Sequence, residues 1–129
     1  MALAVYYEAR SEPLHAQLAV AQVIMQRTAS PSYPDTVCGV VTQGEYGANG
    51  IPIRHRCQFS YHCDGKPERP RDRRAWRRAR AVAALSLNGI VRYPALDGVL
   101  HYHAEYVTPV WSHGMSVVGV YGSHVFLKE

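Results

Sequence analysis

The stretch YYEARSEPLHAQLAVAQVIMQRT, residues 6–28, carries the signals that decide the N-terminal half of the fold. Residues 2–10 are apolar and aromatic enough to form a short helix. SEP at 11–13 is typical of a helix junction, because serine or glutamate can cap a helix and proline fits a first helical turn. From 13 to 28, apolar residues recur at helical spacing on more than one side. We therefore expect a short helix followed by a central, buried helix.

Glu8 stands out within this stretch. In a helix its N-terminal neighbours are apolar or aromatic, so the carboxylate would lose solvation and its pKa would rise. That condition suits a general acid at neutral pH. The ordinary alternative is a solvated glutamate, or one paired with Arg10 or Arg27. The residues by themselves leave both interpretations open.

Capping residues, glycine stops and β-branched runs define the rest of the chain. The expected elements are a helix at 35–43 capped by Asp35, a loop at 44–56, a short strand or turn at 57–63, a helix at 72–87 capped by Asp72, and strands within 99–104, 115–122 and 124–127. This order predicts one α+β domain over 1–129, with helices in the N-terminal two thirds. A small antiparallel sheet forms mainly from the C-terminal third.

Composition places the chain among globular proteins, with 47% hydrophobic and 19% charged residues. The net charge of +4 is concentrated, since seven of the twelve arginines fall within residues 69–80. Such a patch favours polyanions. No recognised nucleic-acid-binding motif surrounds it, so we expect no nucleic acid as partner. We expect anionic wall or outer-membrane polymers to bind one helix face, through Arg73, Arg77 and Arg80.

The three cysteines allow more than one pairing. Cys57 and Cys63 could pair locally, or Cys38 could take either of them. Seven histidines, two of them in HYH at 101–103, suggest a metal site, but the chain lacks the usual zinc-ligand spacings. We expect no metal and no other cofactor.

The N-terminal run MALAVYY lacks the charged region, length and processing site of an export signal. We therefore expect either a compact protein, such as a phage-encoded one, or a piece of a longer chain from which any signal has been removed.

Five sequence blocks carry a family resemblance. They are YYEARSEPLHAQLAVAQVIMQR, SPSYPDTVCGVVTQ, CQFSYHCDG, HYHAEYVTPVW and VGVYGSHVF. In this order they cover nearly the whole chain and resemble the SleB/CwlJ-type cell-wall hydrolases, which include spore cortex-lytic enzymes and relatives in phages and in bacteria that make no spores. Two departures are Ser11, where the family usually has glycine, and His15–Ala16, where it often has an acidic residue and glycine. The arginine-rich stretch 69–80 lies outside the pattern.

The resemblance implies a lysozyme-like fold and cleavage of the peptidoglycan glycan strand between N-acetylmuramic acid and N-acetylglucosamine. The family's catalytic acid corresponds to Glu8. Glu12 matches a second recurrent acid, which would support the site or simply cap the next helix. Peptidoglycan would be the partner of a monomeric enzyme acting in the periplasm or outside the cell, in phage lysis or bacterial wall remodelling.

Two carboxylates are normally needed for glycoside hydrolysis. Asp64 is the best second candidate by motif, and Glu45 and Asp97 are weaker ones. A lone acid favours a lytic transglycosylase, in which the muramic sugar's own hydroxyl attacks, although hydrolysis by a muramidase stays an alternative. A basic module that binds nucleic acid or wall polymer, without catalysis, is the second alternative. Further substrate-binding candidates are Gln58, Phe59, Ser60, Asp64, Tyr102, His103 and Trp111, of which Phe59 and Trp111 could instead be core residues.

Overall fold

A computed structural model describes residues 1–129 as an α+β structure, which confirms the predicted class. Its α-helices are α1 (Ala2–Ala9), α2 (Leu14–Thr28), α3 (Val37–Val41) and α4 (Arg73–Leu87). Ten of the fifteen residues of α2 are buried, so the prediction of a central helix is confirmed. No helix combines the length and the apolar character needed to cross a bilayer.

The helix caps agree only partly with expectation. The Asp72 carboxylate accepts a hydrogen bond from the Ala75 amide at 3.0 Å and caps α4 as predicted. In α3 the capping residue is Thr36, whose hydroxyl accepts from the Gly39 amide, so the assignment to Asp35 was wrong. Helix α2 starts after Pro13 without any side-chain cap. Glu12 is therefore not a capping residue.

Five strands form two antiparallel sheets. The strands are β1 (Gly44–Tyr46), β2 (Pro52–Cys57), β3 (His101–Ala104), β4 (Ser116–Tyr121) and β5 (His124–Lys128). The C-terminal sheet has the order β3–β5–β4, as expected for a small sheet from the last third of the chain. The β1–β2 hairpin shows that the prediction of a loop at 44–56 was wrong. No strand signal is present in this part of the sequence, because the mostly exposed residues show no alternation of apolar and polar side chains.

The core joins both halves of the chain. Phe126 on β5 packs in the same buried cluster as Val20 and Ile24 of α2. Helix α4 covers α1 and α2 through Ala79 and Val82. Leu87, the last residue of α4, is 51% exposed.

The cysteine pairing left open by the sequence is resolved in favour of the local bond. Cys57 and Cys63 form a disulfide across the turn between β2 and a 3-10 helix at Ser60–Cys63. Cys38 is free and exposed.

Candidate active site

Five of the predicted site residues meet around one cavity of about 440 Å³, here called the Glu8 groove. It lies between the C-terminal ends of α1 and α2, residues 58–59, β3 and the turn that follows β3. Its lining residues are Glu8, Arg27, Tyr33, Gln58, Phe59, His101, Tyr102, Trp111 and Met115. Because these residues come from five separate segments, the groove exists only in the folded chain.

Glu8 is the penultimate residue of α1 and is half-buried. Ala4 and Val5, one turn earlier on the same side of the helix, are fully buried. The Tyr102 hydroxyl of β3 donates a hydrogen bond of 2.6 Å to the Glu8 carboxyl, across 94 residues of sequence. The carboxyl is thus held at the edge of the core by one hydroxyl while facing the groove.

The electrostatic effects on Glu8 oppose one another, and burial dominates. Loss of solvation raises the pKa of Glu8, whereas the hydrogen bond from Tyr102 and the positive charge of Arg27 lower it. The net shift of the pKa is upward. A larger fraction of Glu8 is therefore protonated near neutral pH than of an exposed glutamate, as a general acid requires.

Arg27 is buried but does not pair with Glu8. Its Nε donates to the Leu100 carbonyl at 2.9 Å, and its guanidinium lies 4.9 Å from the Tyr33 ring centroid and 5.8 Å from that of Phe59. Arg10 instead donates to the Tyr6 hydroxyl. Neither arginine forms an ion pair with Glu8, so the alternative of a salt-bridged glutamate is not observed.

Four other predicted residues line the groove, in two different ways. Phe59 is 1% exposed and forms part of the floor, in agreement with its alternative interpretation as a core residue. Trp111 is 47% exposed and lines the groove. Gln58 and Tyr102 add polar groups. An exposed aromatic face next to hydrogen-bonding side chains is suited to a sugar, which has apolar faces and hydroxyl edges.

His103 does not line the groove, whereas the neighbouring Tyr102 does. Alternation along β3 does not explain this difference, because His101 lines the groove although it lies on the same side of the strand as His103. The rings of His101 and His103 lie 5.7 and 5.9 Å from that of Trp111, as expected for two residues on one face of a strand. His103 therefore supports Trp111 from outside the groove.

Glu12 lies outside the groove as well. Its Oε1 accepts hydrogen bonds from the Ser123 amide at 2.6 Å and the Ser123 hydroxyl at 2.5 Å, and it lies 3.8 Å from His124 Nδ1. We call this contact the Glu12 latch, because it fixes the α1–α2 junction to the β4–β5 hairpin. The Ser123 hydrogen bonds lower the pKa of Glu12.

The remaining predicted residues are placed elsewhere. Ser60 is exposed at the start of the 3-10 helix. Asp64 lines a different cavity and accepts from the Lys66 amide at 2.8 Å. Glu45 pairs with Arg56 at 3.1 Å, and Asp97 pairs with Arg92 at 2.8 Å. None of the candidate second carboxylates lines the groove with Glu8.

Glu129 contacts one lining residue, since its carboxylate lies 3.1 Å from Nε2 of His101. That carboxylate is 76% exposed and is not itself a lining group. No three histidine, cysteine or acidic side chains come together in a geometry that would hold a metal ion.

Sequence reasoning missed four lining residues: Arg27, Tyr33, His101 and Met115. Arg27 follows a long apolar helical run, and a charge at the end of such a run is a signal of a functional or capping position. His101 was considered only as a possible metal ligand, and Tyr33 and Met115 lack a local signal, because packing alone brings them to Glu8.

Comparison with known proteins identifies this architecture. Residues 11–127 match the model of a family described as Cell Wall Hydrolase. The chain belongs to the cell wall hydrolase family. The match covers most of the chain and begins three residues after Glu8, so it does not include Glu8.

Individual relatives that align with this chain are spore cortex-lytic enzymes. The enzyme of Halalkalibacterium halodurans is 34% identical over 126 residues, which are 98% of this chain and 33% of that protein. That of Bacillus subtilis is 29% identical over 129 residues, 99% of this chain and 36% of that protein. The chain thus spans about a third of the length of these curated relatives.

Two solved structures share the fold. The catalytic domain of the Bacillus cereus SleB protein is 29% identical with a TM-score of 0.71, over 99% of this chain and 86% of that one. The catalytic domain of the germination-specific lytic transglycosylase SleB from Bacillus anthracis is also 29% identical, with a TM-score of 0.74 over 99% and 90%. These matches confirm the predicted SleB-type family and lysozyme-like fold.

Proposed function

We propose that this chain cleaves the glycan strand of peptidoglycan between N-acetylmuramic acid and N-acetylglucosamine, with Glu8 as the catalytic acid. The supporting observation is the half-buried Glu8 carboxyl, whose pKa is raised and which faces the groove while Tyr102 holds it in place. Family membership and the relatives' names support the substrate class. Residues 1–129 would form one monomeric catalytic domain that acts on the wall from the periplasm or from outside the cell.

The reaction would proceed by transglycosylation. Protonated Glu8 gives its proton to the glycosidic oxygen as the bond to the muramic anomeric carbon breaks. The C6 hydroxyl of the same muramic sugar then attacks that carbon and transfers its proton to the Glu8 carboxylate. The products are a 1,6-anhydro muramic end and a new glucosamine hydroxyl, and Glu8 is protonated again.

Transglycosylation is supported by the count of carboxylates in the groove. Glu8 is the only acidic side chain that lines it. A hydrolase would need a second carboxylate about 5 to 9.5 Å from the first, to act as nucleophile or to activate water. An internal hydroxyl nucleophile needs no such residue. Hydrolysis by a muramidase is the alternative, with Glu129, which contacts the lining residue His101, as a candidate second acid.

The groove also has room beyond the reacting sugars. A neighbouring cavity of about 430 Å³ shares Gln58 with the Glu8 groove and is lined by residues of β1 and β2. Trp111 supplies an exposed ring at the wall of the groove. We propose that several sugars of a strand lie along this surface, with the bond to be cut next to Glu8.

Mass spectrometry of digested peptidoglycan tests the proposal. Transglycosylation predicts anhydromuramic ends that resist borohydride reduction. Hydrolysis would give reducible muramic ends instead and would require a search for the second carboxylate, starting with Glu129. New peptide termini with intact glycan strands would refute glycan cleavage altogether.

We further propose that the exposed face of α4 binds anionic wall or outer-membrane polymers through Arg73, Arg77 and Arg80, all of which are exposed. Charge reversal at these three positions should weaken binding to whole walls at low salt, where screening is weak. Turnover of a short soluble glycan should change less. An equal loss in both assays would indicate a structural role for this face.

A further inference from the structure

A second cavity begins one residue before Glu8 on α1 and shares no lining residue with the Glu8 groove. Its volume is about 310 Å³. Tyr6, Tyr7 and Tyr61 form an aromatic wall, in which Tyr7 and Tyr61 stack with their ring centroids 5.0 Å apart. The charged lining residues are Arg10, Asp64, Lys66, Glu68, Arg69 and Arg71. We call this the tyrosine–arginine cavity.

The cavity is lined by four cationic and two acidic side chains, and three of the cationic ones have no hydrogen-bond or ion-pair partner. The side chains of Lys66, Arg69 and Arg71 form no hydrogen bond or ion pair in the structure, whereas Arg10 is held by the Tyr6 hydroxyl at 2.8 Å. Asp64 accepts a bond from a backbone amide. The cavity therefore offers free positive charge beside an aromatic surface, which suits an anionic group with an apolar stem.

Tyr61 lines this cavity but not the Glu8 groove, and it stacks on Tyr7, which directly precedes Glu8 on α1. Burial, together with the charges of Glu68 in one cavity and Glu8 in the other, raises the pKa of Tyr61. Tyr61 therefore lies within electrostatic range of both carboxylates. Tyr7 and Glu8 are consecutive, so their Cα atoms are about 3.8 Å apart. The two cavities are therefore lined by neighbouring residues of α1, and a peptide branch on a sugar beside Glu8 would have to cross this part of α1 to enter the second cavity.

We infer that the tyrosine–arginine cavity binds the stem peptide of peptidoglycan through its carboxylates. The inference rests on the proposed function, since the stem peptide branches from the muramic sugar next to the bond that Glu8 would cleave. Lys66 and Arg69 bind the carboxylates, and Tyr7 and Tyr61 contact the aliphatic part of the peptide. The enzyme would then prefer strands that carry peptides over bare strands.

The mixed charge of the lining favours a peptide over a phosphate polymer. Asp64 and Glu68 would repel a chain of phosphates, whereas a stem peptide with a diamino acid carries an amine that these carboxylates can accept. The exposed α4 face lacks such acids within its arginine row, and it is the better surface for a polyanion.

The test uses the whole chain and a matched pair of double variants. Lys66→Gln/Arg69→Gln removes two charges from the cavity, and Arg74→Gln/Arg78→Gln removes two from exposed positions of α4. The ligands for calorimetry are a soluble stem tetrapeptide, its carboxyl-amidated form and a glycerol-phosphate oligomer. The substrates are glycan strands with peptides and the same strands stripped by an amidase.

We expect the cavity variant to weaken tetrapeptide binding by about threefold to tenfold, as for the loss of two exposed ion pairs. The preference for peptide-bearing over stripped strands should fall by a similar factor. The α4 variant should match the wild type, and the amidated peptide should bind weakly to all three proteins.

Three results would overturn the inference: equal binding of the acidic and amidated peptides, equal losses in the two double variants, or tighter binding of the glycerol-phosphate oligomer at Lys66 and Arg69. The proposed function and the peptide site are refuted by different results. A wild type that binds the peptide but cuts no glycan would refute glycan cleavage and leave the cavity as a peptide site. Equal cleavage of peptide-bearing and stripped strands would refute the peptide site and leave the proposed glycan cleavage in place.

Discussion

Glu8 and Glu12 lie four residues apart around the end of α1, and their surroundings shift their pKa values in opposite directions. Glu8 faces a groove and receives a single hydroxyl, so burial raises its pKa. Glu12 receives an amide and a hydroxyl from Ser123 and lies near His124, so its pKa falls. The first carboxyl is kept ready to hold a proton, and the second is kept charged.

The difference between these two glutamates lies in the number of donors that replace water. A carboxylate that loses water without enough replacement donors becomes harder to ionise, whereas one that accepts two or more bonds stays ionised. Sequence neighbours do not reveal this difference, because the donors come from β3 and from the β4–β5 turn, about a hundred residues away. This difference supports the proposed catalytic role of Glu8 and gives Glu12 a structural role.

The largest expected effect is on Glu8. Glu8→Gln preserves the side-chain shape and can still accept from Tyr102, but it has no proton to give. We expect glycan cleavage to fall by about 10²- to 10⁴-fold, the usual contribution of a positioned acid. Release of soluble muropeptides from purified walls, followed by chromatography, measures this loss.

Stability provides the control for Glu8→Gln. The pKa of Glu8 is raised in the folded state, so its contribution to the free energy of unfolding is fully present at pH values below the ordinary pKa of glutamate. This contribution is lost as the pH rises through the raised pKa. Glutamine has no such loss, so the variant should be at least as stable as the wild type at neutral pH in urea unfolding. An active Gln variant, or one that loses activity only because it unfolds, would remove the case for Glu8.

Glu12 should show the reverse pattern. Glu12→Ala removes the charge-assisted bonds of the latch and should lower the free energy of unfolding by about 1.5 to 3 kcal/mol. Glu12→Gln keeps an acceptor and should cost roughly half as much, because neutral hydrogen bonds are weaker. Urea unfolding at neutral pH measures both. Cleavage by the folded Ala variant should largely persist, and a loss as large as that of Glu8→Gln would contradict the division of roles.

The pH dependence of stability sharpens the test of Glu12. Its pKa is depressed in the folded state, so the stability it contributes is present above the ordinary glutamate range and is lost as pH falls through the depressed pKa. The Ala and Gln variants should therefore lose less stability than the wild type on acidification over this window. If all three proteins lose the same free energy of unfolding on acidification, the latch does not depend on the Glu12 charge.

Much of the fold could be predicted because the signals are local. The periodicity of 13–28 and the Asp72 cap placed α2 and α4 within about a residue of their observed starts. The β1–β2 hairpin was missed because most of its side chains are exposed, and glycines around it favour a loop. A strand that buries neither face carries no periodic signal, so only its pairing shows that it is a strand.

The sequence predicted individual residues of the candidate site but not the contacts between them. Glu8 and Tyr102 were identified through sequence blocks, but nothing local indicates that they touch. Asp64 was favoured by its position in CDG, and the structure instead places it in the tyrosine–arginine cavity. The groove depends on long-range packing around Phe126 and Phe59, and this packing is not encoded in any short pattern.

The smallest expected effect concerns Tyr102, the one donor to Glu8. Tyr102→Phe keeps the ring contacts with Phe126 and His124 but removes the hydroxyl that lowers the pKa of Glu8. The pKa of Glu8 should rise further. Because the acid must be protonated, the fall of kcat/KM at high pH should move to higher pH in the variant.

The maximal rate of Tyr102→Phe should drop by no more than about tenfold, since one net hydrogen bond is worth about 1 kcal/mol. A pH–rate profile on soluble glycan chains measures both the shift and the rate. A shift of the alkaline limb to lower pH would mean that the hydroxyl donates mainly to the protonated carboxyl or acts on the substrate. In that case the single-donor description of Glu8, and its contrast with the latched Glu12, would have to be abandoned.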